Sequence, residues 1–140
     1  MTDKANLRLW MVRVLIGIVT AWNLQAAFTF MFTPGAYVAG FELNGLAGET
    51  AIRGTGVLFL MWNLPYLVAL WHPHRYRLAL NLSLAMQLVG VLGESLIFFG
   101  LPPEHTILRT SLLRFISFDA AGLILLAISV WMMRHESHGS

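Results

Sequence analysis

The sequence contains no cysteine. That absence excludes disulfides, thiolate metal sites, thiol redox chemistry and haem attachment through cysteine. Charge is the second scarcity. Only 11% of the residues are Asp, Glu, Lys or Arg, against roughly 25% in an ordinary soluble domain, so the chain could not clothe its surface in water. A hydrophobic fraction of 57% also excludes a disordered chain, because disorder needs low hydrophobicity and high charge. The net charge of +2 is small, and the basic residues read as topology signals rather than as a nucleic-acid footprint. Catalytic signatures are missing too. There is no nucleotide-binding glycine loop and no metalloprotease His-Glu pattern, and Ser95 has no histidine near it to activate a nucleophile.

What the chain has instead is long apolar runs, with a mean hydropathy of +0.68. Crossing roughly 30 Å of hydrocarbon takes about 20 helical residues. Four stretches suffice: residues 12–32, 54–71, 78–101 and 111–133. The second contains Pro65, and the third stops at Pro102-Pro103, which cannot continue a helix. Each run is far longer than a barrel strand and lacks two-residue alternation. The expectation is an all-α, single-domain integral membrane four-helix bundle over residues 1–140. Lys4, Arg8 and Arg13 flank the start of the first run, but its length and the residues near Ala26 favour a retained span over a cleaved signal peptide. The loop 33–53 is apolar at Tyr37, Val38, Phe41 and Leu43 and glycine-rich, so it lies in the outer interface or folds back over the bundle. There is no internal repeat, and the tail 134–140 reads as short, polar and frayed.

Cation placement sets the expected orientation. Lys4, Arg8, Arg13, Arg75, Arg77 and Arg134 fall on one side, and Arg53, Arg109 and Arg114 on the other. That bias puts both termini in the cytoplasm. Trp10, Trp71, Tyr76 and Trp131 lie near the same face, as an interfacial aromatic belt should.

Ionisable groups deep in a span are the strongest functional pointers. Glu94 in the third run and Asp119 in the fourth lie roughly 10–12 Å inside the outer end at the helical rise. Gln25 and Asn63 reach similar depths. Arg114 sits one turn inside the fourth run and Arg53 opens the second. Gln87 shares a helix face with Glu94, seven residues on. Arg114 and Asp119 are about 140° apart round their helix and make poor partners. Pairing Arg53 and Arg114 across helices with Glu94 and Asp119 would make the layer neutral. One reading is a ligand or proton site; the other is structural glue, since polar contacts hold membrane helices together without chemistry. Trp62 and Tyr66 flank Pro65 one turn apart. A kink there, lined with Trp22, would suit a flat or amphipathic molecule, although core aromatics read the same way.

Four histidines, His72, His74, His135 and His138, invite a metal reading. Their spacing matches no metal motif, so no metal is expected. The stretch Arg53-Gly54-Thr55-Gly56-Val57-Leu58-Phe59-Leu60-Met61-Trp62, with the four-span layout, resembles the DoxX-like small membrane proteins. That resemblance implies a four-helix bundle, sometimes beside a quinone-linked oxidoreductase, and carries over no catalytic residue.

The expected function is a small, non-enzymatic multi-pass protein of the cell membrane. Its polar layer would bind a lipid, a quinone-like or other hydrophobic molecule, or dock a partner membrane subunit. A homo-oligomer fits this reading and nucleic acid does not. The rivals are an intramembrane isomerase using Glu94 and Asp119 as acid and base, and an oligomeric proton-linked transporter. No cofactor is identified by the residues alone.

Overall fold

The structure is a computed structural model that describes residues 2–135. His138 and the last residues of the tail lie outside that range. Helix α1 spans Thr2–Phe32, α2 Gly45–Trp62, α3 Leu64–Trp71, α4 Arg77–Gly100 and α5 Thr106–Arg134. Short 3-10 turns at Pro34–Ala36 and Val38–Phe41 carry the chain from α1 to α2. There is no strand among the described residues. The segments Asn6–Phe32, Gly45–Trp71, Arg77–Gly100 and Thr106–Arg134 are each long and apolar enough to cross a membrane. Their outward residues are apolar: Val89, Leu92 and Leu96 are all more than half exposed. Water would penalise such a face, whereas hydrocarbon does not.

The helices run in alternating directions and are tied at their ends. The Arg13 guanidinium donates to the Trp71 carbonyl at 2.8 Å, joining the start of α1 to the end of α3. Arg77 reaches the Met133 carbonyl at 3.4 Å. At the opposite end Arg109 donates to the carbonyls of Phe98 and Leu101 and lies 4.1 Å from the centre of the Phe98 ring. These arginines close orphan carbonyls at helix ends and lock two hairpins.

The sequence places a long loop over 33–53, but α2 begins at Gly45, so the loop ends at Asn44. Polar Glu49, Thr50 and Arg53 depress hydropathy there without preventing a helix. Tertiary packing forms it: Gly48 and Ile52 are buried, and a Cβ on Gly48 would stand 3.0 Å from Leu43 and 3.3 Å from Val38. Gly45 has φ +60, a conformation that glycine enters without a Cβ clash. Helix α5 likewise starts before residue 111, at Thr106.

At the kink expected near Pro65 the helix is interrupted by one residue, Asn63, whose backbone stays near helical at φ −77 and ψ −10 and whose N–H still bonds to the Phe59 carbonyl at 3.1 Å. Pro65 has no N–H and clashes with the preceding turn, so α2 stops and α3 restarts with proline in its first turn. The Asn63 side-chain amide donates to the Phe59 carbonyl at 2.7 Å. The apolar core occupies the half of the bundle nearest the termini, where Val12, Ile16, Val19, Ala69, Leu80, Leu126 and Val130 pack together.

Candidate functional site

Above that core, the helices enclose a cavity of about 530 Å³. At its floor α4 and α5 interdigitate polar side chains through notches. A Cβ on Gly90 would collide with the Asp119 carboxylate, and one on Gly122 would stand 2.7 Å from the Gln87 amide nitrogen. Each glycine therefore admits the polar side chain of the facing helix, the close approach that small residues allow in membrane bundles.

The floor is a directional hydrogen-bond chain. The Tyr66 hydroxyl donates to Gln87 Oε1 at 2.6 Å, with the Ser83 carbonyl 3.1 Å away. Gln87 Nε2 donates to Asp119 Oδ1 at 2.9 Å and to its backbone oxygen at 3.2 Å. Tyr66 and Gln87 are both buried. Their partners fix the Gln87 amide orientation, since a flip would set nitrogen against the tyrosine proton and oxygen against the carboxylate.

The upper walls are aromatic. Phe30, 2% exposed, has ring centroids of Tyr37, Phe41, Phe59 and Phe115 at 4.7, 6.0, 5.7 and 5.9 Å. The loop folds back over the bundle and forms the roof through Ala36, Tyr37, Gly40 and Phe41. Two contacts fasten it to α5. The Ser111 hydroxyl donates to the Gly40 carbonyl at 2.6 Å. Glu42 joins His105 Nδ1 at 2.5 Å and accepts from the Leu108 N–H at 3.3 Å. That second contact places an anion at a helix N-terminus. Glu42 adopts a left-handed backbone at φ 56, uncommon for a residue with a side chain. The His105 bond holds the Glu42 carboxyl below its ordinary range and raises His105 in return.

Trp22, Gln25, Arg114 and Phe118 line the cavity and are also exposed. All four belong to α1 and α5, so the chamber's lining reaches the outer surface along the seam between these helices. Trp22 and Phe118 meet edge to face there, with centroids 6.1 Å apart.

Of the residues singled out in the sequence, Gln25, Trp62, Asn63, Gln87, Glu94, Arg114 and Asp119 line this one cavity. Tyr66 lies beneath its floor, and Arg53 stands exposed on α2 outside it. No ion pair joins Arg53 or Arg114 to Glu94 or Asp119. The expected charge-neutral layer is therefore not formed: Asp119 takes an amide partner instead, and Arg114, though in the lining, is exposed. Two buried oxygens, Asn63 Oδ1 and Glu94 Oε2, have no hydrogen-bond partner.

Sequence reasoning missed the ring cluster around Phe30 and the fastening of the roof. The four-residue spacing of Phe115 from Asp119 and of Phe59 from Asn63 carried part of that signal. The contact of Glu42 with His105, 63 positions apart, carried none. Among the described residues no group of three His, Cys, Asp or Glu side chains could hold a metal ion.

Together the fold and the cavity define a class: an all-α bundle of four apolar, membrane-length helices with a polar and aromatic chamber in one half. Comparison with protein-family models, with curated proteins and with solved structures finds no match to this chain.

Proposed function

We propose that this chain is a multi-pass protein of the cell membrane, with both termini cytoplasmic, that binds a hydrophobic or amphipathic small molecule in the chamber between α1, α2, α4 and α5. The supporting observation is the chamber itself. At about 530 Å³ it falls within the size range of small-molecule sites, which combine apolar and aromatic walls with a few placed polar groups. Phe59, Phe115 and Trp62 supply flat apolar surface; Asn63, Glu94 and Asp119 supply polarity. The exposed lining along the seam between α1 and α5 would face hydrocarbon in a bilayer, so a lipid or quinone-like molecule could enter there without crossing water. Arg114 on that seam has no ion-pair or hydrogen-bond partner and suits a polar or anionic headgroup. The resemblance of residues 53–62 to DoxX-like proteins, which sometimes sit beside a quinone-linked oxidoreductase, is in keeping with this role.

The carboxylates of Glu94 and Asp119 share the chamber, which keeps acid-base chemistry on a bound molecule as the second reading. A transport path through one copy has less support, because the packed residues around Ile16, Leu80 and Leu126 fill the half below the floor.

The test is purification in mild detergent followed by mass spectrometry of co-purifying small molecules, with Ala26→Trp as the comparison. Ala26 lines the chamber, and an indole there would take up part of its volume and obstruct a bound molecule. A molecule retained by the wild type and lost from Ala26→Trp supports binding. Equal content in both, or none in either, overturns it.

A further inference from the structure

The end of the bundle that carries both termini holds Arg8, Arg13, Arg75, Arg77 and Arg134, none of which the chamber uses. Between the start of α4 and the end of α5 lies a second cavity of about 120 Å³, lined by Arg77, Leu80, Asn81, Val130, Met133 and Arg134. It shares no lining residue with the chamber. Its volume is well below the roughly 300–1,000 Å³ of a small-molecule site, so it takes one polar group of a larger molecule. Two guanidinium groups belong to its lining, and no acidic side chain among the described residues does. Arg77 spends one N–H on the Met133 carbonyl at 3.4 Å, and a guanidinium carries five.

Depth adds to this. Arg77 and Arg134 are the end residues of the apolar segments Arg77–Gly100 and Thr106–Arg134. In a bilayer they stand where hydrocarbon gives way to lipid headgroups. Asn81 lies one turn further in, about 6 Å at the helical rise. It is exposed, and its side chain makes no hydrogen bond among the described residues. An amide at that depth is costly unless something satisfies it. Leu78 and Leu82 on α4 and Trp131 on α5, close in sequence to the lining residues, are exposed and apolar.

We infer that this notch between α4 and α5 binds the headgroup of an anionic phospholipid. Arg77 and Arg134 hold the phosphate, the oxyanion that a guanidinium fork matches. The Asn81 amide donates to a glycerol ester carbonyl one turn deeper, and the acyl chains run along the outside of α4 and α5. A zwitterionic headgroup would bring its own ammonium towards two guanidinium groups, so the notch favours a lipid of net negative charge. The site needs the membrane reading but not the chamber.

The experiment titrates the full chain, in a non-ionic detergent, with phosphatidylglycerol or with phosphatidylcholine of the same acyl chains. Native mass spectrometry counts the bound lipid. Phosphatidylglycerol should bind about tenfold more tightly, the scale set by one or two arginines at a lipid phosphate. Arg77→Gln together with Arg134→Gln should remove most of that preference. Arg8→Gln together with Arg75→Gln deletes the same charge from the same end, outside the lining, and should keep it. Inorganic phosphate in large excess should not displace the lipid, because it has neither ester nor chains. Equal binding of the two lipids to the wild type overturns the inference, and that comparison needs no variant to fold. An equal loss in both double variants overturns it too, since the preference would then belong to the whole basic face. Displacement by phosphate would make the notch a site for a soluble anion and overturn the lipid assignment.

Discussion

The two halves of the bundle are built from the same four spans and solve different problems. In the half nearest the termini, Val12, Ile16, Val19, Leu80 and Leu126 are essentially inaccessible and interdigitate around one another. In the half beneath the loop, the same helices carry Gln25, Asn63, Glu94 and Asp119 around open space. Close packing in the first half holds the helices at fixed separation. That rigidity lets the second half leave a chamber and two buried oxygens without hydrogen bonds. Bilayer hydrocarbon is as apolar as a leucine core, so tight packing rather than water exclusion must hold the bundle together. A polar chamber in such a bundle is a departure that asks for a use.

The comparison breaks most readily on paired truncations. Leu126→Ala in the packed half should lower unfolding stability in detergent by roughly 2–5 kcal/mol and leave small-molecule content unchanged. Phe115→Ala, whose ring already borders open space, should cost clearly less stability yet empty the chamber. If Phe115→Ala were as destabilising as Leu126→Ala and kept its ligand, the halves would not differ in role.

Next in size is the crossing of α1 and α2. A Cβ on Gly56 would stand 2.8 Å from the Ala27 carbonyl and 2.9 Å from the Met31 backbone nitrogen. Neither backbone atom can swing aside as a flexible side chain would. Gly56→Ala should therefore destabilise by about 1–3 kcal/mol as an overpacked contact, whereas Gly54→Ala, with nothing nearby, should be tolerated. Equal melting temperatures for the two variants would mean that the helices do not approach so closely.

The carboxylates sharpen the comparison further. Because Glu94 and Asp119 have no arginine partner, Glu94→Gln strands no cation. Asp119→Asn can still accept from Gln87 through its amide oxygen. Each should change stability by only about 0.6 kcal/mol, the average for polar contacts between membrane helices, while bound-molecule content falls. A large loss of stability with undiminished ligand content would make the layer structural glue.

The smallest effect concerns the roof. His105 is raised above its ordinary 6.5 by its bond to Glu42, with Glu104 adding to the field. Its contribution is complete below that ordinary value and fades as pH rises through the raised one. Glu42 is lowered from 4.5, chiefly by the His105 bond, so its contribution is present above 4.5 and fades as pH falls through the lowered value. The roof should therefore be held best between about pH 4.5 and 6.5. Hydrogen exchange of residues 36–44, corrected for intrinsic rates, should be slowest in that window and faster at pH 8. His105→Gln should remove this dependence. A flat profile in the wild type would show that Ser111 and Gly40 hold the roof unaided.

Much of this was legible in residue order. The four spans, and the similar depth of Glu94, Asp119, Gln25 and Asn63 with Arg114 nearer the outer end, follow from the helical rise and alternating helix direction. The ion pairs with Arg53 and Arg114 do not form, because depth along a helix says nothing about the facing side chain. Gln87 meets Asp119 only because Gly90 and Gly122 face each other's helices.

By itself, the sequence determined that four helices of membrane length must form and where along each the polar residues fall. Hydrophobicity and rise per residue are local properties, readable in order along the chain. Tertiary structure alone decided that the loop roofs a chamber, that Tyr66 lies below its floor and that Arg53 stays outside. It also decided which oxygens were left without a partner. Those outcomes depend on how helices rotate and cross, and that is fixed by the summed packing of residues distant in sequence.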